Sequence, residues 1–103
     1  MAAAVLPRDP VITIATAATA FLTRSMAATT QRSYAQTMSQ LDARYGNQPV
    51  SALDGATLAS FATTTWGACA PATWNRHVAT LRSFTAYARR QGWLAGDPAA
   101  VLE

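Results

Sequence analysis

The chain has 103 residues, half of them hydrophobic, and eight basic against five acidic side chains give a formal charge of +3. A single domain of this size buries a core without disulfides or metal, and the apolar content excludes a disordered tail. Every basic residue is arginine, whose planar fork suits phosphate and guanine; a GC-rich gene gives the same bias, so the missing lysine is not itself a sign of DNA binding.

The distribution of charge says more than its sum. Asp9, Asp42, Asp54, Asp97 and Glu103 are the acids, and none falls between Asp54 and Asp97, where Arg76, Arg82, Arg89 and Arg90 lie. A stretch of one sign points to a polyanionic partner. Cys69 is the single cysteine, so an internal disulfide is excluded and a reducing cytoplasm is expected. Val11 to Leu22 is mildly apolar behind Arg8, but Asp9, Thr13, Thr16 and Thr19 argue against a secretory leader. The run is also too short to span a membrane.

In chain order, residues 1–11 read as a loose tail and 12–101 as one domain. A first helix is expected over roughly Thr13 to Arg24, with Ile14, Ala18, Phe21 and Leu22 on one face and Arg24 complementing the helix dipole. The second runs from Thr29 or Thr30 to Tyr45. Tyr34, Met38, Leu41 and Tyr45 form its inner stripe; Gln31, Arg32, Gln36, Ser39, Gln40 and Arg44 lie opposite, and Gly46 stops it as a C-terminal glycine. Asp54 is a good N-cap for a third helix, with Leu58, Phe61, Ala62 and Thr65 inside, Trp66 near the end and Gly67 as the stop. The fourth opens at Pro71, turns Trp74, Val78, Leu81, Phe84 or Thr85, and Ala88 inward, and reaches Arg90 or Gln91 before Gly92. Trp93 and Leu94 pack back, and Ala99 to Leu102 starts a short fifth helix or a linker. The fold class is all-α, a compact four-helix bundle.

Enzyme chemistry has little support. His77 stands alone, so no metal site of three or four ligands can be assembled around it. It is expected to face solvent or a groove beside Arg76. The five glycines are scattered helix stops and form no phosphate loop. The aromatic residues fall mostly on inner faces, and Tyr34, on an apolar stripe without arginines arranged around it, reads as structural. No cofactor, metal, small-molecule substrate or membrane partner is expected.

The polar openings of the second and fourth helices carry the useful signal. Thr29, Thr30, Gln31, Arg32 and Ser33 open one; Thr73, Asn75, Arg76 and His77 open the other. Hydroxyls and helix N-termini suit phosphate, while amides suit adenine and arginine suits guanine. A solvated helix start has much the same composition.

The order of these pieces resembles the core-binding domain of tyrosine recombinases, the phage-integrase family. The residues that carry the likeness are Phe21-Leu22, then Thr30-Gln31-Arg32-Ser33-Tyr34, and Leu53-Asp54-Gly55-Ala56-Thr57-Leu58. They continue with Pro71-Ala72-Thr73-Trp74-Asn75-Arg76, Leu81-Arg82-Ser83-Phe84-Thr85-Ala86-Tyr87-Ala88, and Gly92-Trp93-Leu94-Ala95-Gly96-Asp97-Pro98. The chain departs from the family pattern at Ala27 and Ala70, where a serine cap is common, and at Asp97, usually asparagine. The resemblance implies a SAM-like helical domain that clamps double-stranded DNA through its second and fourth helices. It also implies contact with other recombinase protomers on DNA, and a separate catalytic domain that would follow Glu103, so that this chain alone would not cut DNA. By carry-over the DNA-binding positions are Thr30, Arg32, Thr73, Asn75 and Arg76. Helical geometry adds Gln36, Thr80 and Arg82 as outward-facing. The competing expectation is a helical protein–protein interaction module, marked by an exposed apolar patch on the first helix.

Overall fold

Four helices form where the apolar periodicities place them: α1 (Ile14–Leu22), α2 (Ala28–Tyr45), α3 (Gly55–Trp66) and α4 (Pro71–Arg90). This computed structural model describes residues 11–102, so the tail expected over 1–11 lies, Val11 apart, outside the described residues, as does Glu103. Two 3-10 turns, Val50–Ala52 and Pro98–Val101, complete the order; the second takes the place of the short fifth helix. Among the described residues the nearest thing to a strand is an isolated bridge between Thr13 and Pro49.

α1 ends at Leu22, before Arg24, so the expected dipole role of that arginine falls away. Its guanidinium lies instead over two rings, 4.7 Å from the centroid of Phe21 and 5.0 Å from that of Tyr87, where ring faces attract a cation. Gly46 does stop α2, but with φ −54° it stays right-handed. The turn is held from outside: the N–H groups of Ile14 and Ala15 donate to the carbonyls of Gln48 (2.9 Å) and Gly46 (3.0 Å), and Pro49 follows. Gly92, at φ +82°, is the left-handed stop. Its N–H donates to Arg89 and that of Trp93 to Ala88, a Schellman pair that only a residue without Cβ closes cheaply. Trp93 then meets Tyr87 edge-on at 5.7 Å.

α4 is the central element, packing against α1, α2, α3 and the second 3-10 turn. Phe21, Phe61 and Phe84, with Met38, Leu41, Leu58 and Leu81, are fully buried around it. Phe21 stacks on Tyr34 (5.2 Å, 12°) and meets Phe84 edge-on (5.5 Å), which fixes Tyr34 as a packing residue. Leu102, left outside the 12–101 boundary by the sequence, is buried and belongs to the core.

Candidate nucleic-acid interface

α2 and α4 pack side by side, and each begins after an alanine that offers no side-chain cap. The first N–H groups of a helix have no intrahelical acceptor, and with the macrodipole they make the start of a helix favourable to anions. Beyond these starts the two helices differ in what they expose. On α2, Thr29, Arg32, Gln36 and Ser39 are exposed and Thr30 half-buried; these follow one helical stripe. On α4, Asn75, Ala79, Arg82 and Arg89 are exposed along a second stripe, with Arg76 exposed beside it and Thr73 half-buried.

Of the expected site residues, Arg76 is the one that joins the helices: its guanidinium donates to Ser33 Oγ of α2 at 3.2 Å. Arg32 and Asn75 are the sequence neighbours of this pair. Arg82 is exposed but committed on one side, since one of its terminal nitrogens donates to the carbonyl of Leu102. Among the described residues the one ion pair is Arg89 with Asp97, at 3.7 Å and half exposed on both sides, a geometry worth little. Arg32, Arg76, Arg82 and Arg90 therefore present cationic surface that no described carboxylate neutralises.

Two expectations fail. Thr80 does not face outward: it is 1% exposed, and its hydroxyl donates to the carbonyl of Arg76 at 3.2 Å. His77 does not face solvent or a groove: it is 3% exposed and lies flat on Trp66, 4.2 Å between ring centroids and 4° from parallel. The physical reason is the same for both. α4 is flanked by neighbours on several sides, so its buried arc is wider than one apolar stripe, and two polar residues fall inside it. The spacing His77, Thr80, Phe84, at i, i+3 and i+7, is the signal that could have found them.

His77 sits in a polar seam between three helices. Its Nδ1 is 2.7 Å from Thr37 Oγ and its Nε2 3.3 Å from a terminal nitrogen of Arg76. Trp66 Nε1 donates to Gln40 Oε1 at 3.2 Å. Ser33, Thr37 and Gln40 thus line one face of α2 toward α3 and α4. Burial, and then the adjacent Arg76 charge, push the His77 pKa below its ordinary value, so the ring is neutral at pH ~7.

Among the described residues no three His, Cys, Asp or Glu side chains come together to hold a metal ion. No helix of the described part is long and apolar enough to cross a membrane. Comparison with curated proteins and with solved structures finds no match. The family model described as "Phage integrase, N-terminal SAM-like domain" matches residues 18–92, from the middle of α1 to the glycine that closes α4. With the helix order seen here and a match over well more than half of its length, the chain belongs to the family of phage-integrase N-terminal SAM-like domains.

Proposed function

We propose that this domain binds double-stranded DNA through the outer faces of α2 and α4, as the non-catalytic part of a site-specific tyrosine recombinase. Its catalytic residues would then sit in a separate C-terminal domain, and full-length copies would assemble on DNA in the cytoplasm. The observation that carries this reading is an arginine surface without described carboxylate partners on the two helices whose N-termini lack side-chain caps, in a chain of the integrase family. Thr30 and Thr73 would meet phosphate. Arg32 and Arg76 would meet phosphate or guanine, and Gln36 and Asn75 adenine edges. Arg82 would reach phosphate with the donors that Leu102 leaves free. Thr80, buried and with its hydroxyl bonded to the Arg76 carbonyl, offers DNA no surface.

The competing interaction module has less support. α1 exposes Thr16 and Thr19, and the large apolar side chains exposed among the described residues are Val11 and Val101, neither of them on that helix.

The test is titration of this chain with a generic duplex at two salt concentrations. If Arg32, Arg76 and Arg82 each neutralise one phosphate, log affinity falls with log salt with a slope of about −3. Absence of binding at low salt, or an affinity indifferent to salt, would remove the reading.

A further inference from the structure

Arg76 is an exposed arginine that is nevertheless held. One terminal nitrogen donates to Ser33 Oγ at 3.2 Å and the other lies 3.3 Å from His77 Nε2. A guanidinium only donates, so Nε2 must be the bare, accepting nitrogen, and the imidazole proton sits on Nδ1. That proton has an acceptor: Thr37 Oγ, 2.7 Å away, whose own hydrogen points to the Ser33 carbonyl at 3.5 Å. The ring cannot tilt away, because it lies on Trp66, and Trp66 is anchored in turn by Gln40. Each partner has one role that satisfies the next. The arrangement uses two of the five N–H donors of Arg76 and leaves three for something outside the protein.

We propose that His77 is a positioning residue: buried in its Nδ1–H form on Trp66, it holds the Arg76 guanidinium against Ser33 so that the remaining donors are presented, already ordered, to a phosphate or base of DNA. This rests on the reading of Arg76 as a DNA contact. An arginine fixed before binding loses less side-chain freedom on binding. The groups facing His77 are Thr37 and, through Trp66, Gln40 from α2, Trp66 from α3 and Arg76 from α4. No carboxylate is among these contacts, so protonation of the ring would set two cations side by side and remove the acceptor.

The experiment compares duplex affinity for wild type, Arg76→Ala, His77→Phe, His77→Gln and the double variant Arg76→Ala/His77→Phe, with the ring tautomer of the wild type read from imidazole nitrogen shifts at pH ~7. His77→Phe keeps a ring on Trp66 but offers Arg76 no acceptor. It is expected to weaken binding about 2- to 10-fold, the range for freeing one long side chain. His77→Gln, with an acceptor near the position of Nε2, recovers part of that, and His77→Phe adds nothing once Arg76 is gone. An equal loss from His77→Phe with and without Arg76 overturns the proposal, as does full affinity in His77→Phe while Arg76→Ala is weakened. An Nε2–H tautomer in the wild type overturns it whatever the variants do. Unchanged affinity in Arg76→Ala alone removes the underlying DNA contact, and that outcome is visible without any His77 variant.

Discussion

At the start of α1 every early N–H has an acceptor. Ile14 and Ala15 donate to the carbonyls of Gln48 and Gly46, and Thr16 and Ala17 to the hydroxyl and carbonyl of Thr13. α3 is capped at one position by Asp54, whose carboxylate takes the N–H of Thr57 at 2.8 Å. α2 and α4 begin behind Ala27 and Ala70, with no side-chain cap. α1 is closed by the protein's own atoms and α3 already carries a carboxylate at its dipole end; α2 and α4 have neither, and leave their dipole ends to water or to a ligand. Helix ends of one kind hold the fold, and those of the other kind are free to act.

The largest effect expected on the closed side comes from Phe21, which is fully buried against Tyr34, Phe84 and Tyr87. Phe21→Ala should lower stability by about 3–5 kcal/mol, read as a fall in the denaturant midpoint. At temperatures where the variant remains folded, its DNA affinity should be close to wild type. A matching loss of affinity would mean that α1 belongs to the binding surface and the division is wrong. On the open side, Arg32→Ala or Arg76→Ala should weaken binding by about 1–3 kcal/mol if the arginine reads a base, or reduce the salt slope by about one if it meets phosphate, with little change in melting temperature.

A sharper cut is Ala70→Asp, which adds the missing cap and a negative charge together. The cap should stabilise the fold by about 1 kcal/mol, while the carboxylate occupies the N–H groups and repels phosphate. Thermal melting and duplex titration should therefore move in opposite directions; a rise in both would place the α4 start away from DNA.

The smallest effect concerns Asp54. Its carboxyl is held below the ordinary carboxylate range, first by the backbone N–H and then by the hydroxyl of Thr57. A depressed folded pKa gives stability that is complete above the unfolded value and lost as pH falls through the folded one. Asp54→Asn keeps a good cap without titrating. Its melting temperature should fall less than that of wild type on acidification, and equal falls would show that the cap does not depend on charge.

Much of this division is legible in the sequence. Thr13, Asp54 and Pro71 mark helix starts through local chemistry that needs no tertiary context, and the alanines at Ala27 and Ala70 announce the uncapped ends. The stripes through Phe21, Met38, Leu41, Val78 and Leu81 follow from helical spacing alone. What sequence reasoning missed depends on which neighbours surround a helix. His77 reads as a solvated polar residue until Trp66 and Thr37 are placed against it, and Thr80 reads as exposed until α4 is seen packed on several sides. Arg24 suits a dipole only for a helix that runs past Leu22, and α1 ends there. Whether Arg82 is free or tied depended on where residue 102 returns, a separation of 20 residues along the chain that no local pattern reports.

That last contact has a mechanical consequence. Arg82 lies on the outer stripe of α4 and at the same time holds the carbonyl of Leu102, a residue whose side chain is buried and whose N–H is bonded to Ala99. The end of the described chain is thus tied to the central helix, and the two are expected to open together, which amide hydrogen exchange would read as similar protection. A load applied to the outer face of α4 at Arg82 would therefore be shared with the backbone of Leu102 as well as passed along the helix, so that pulling on one element strains the other.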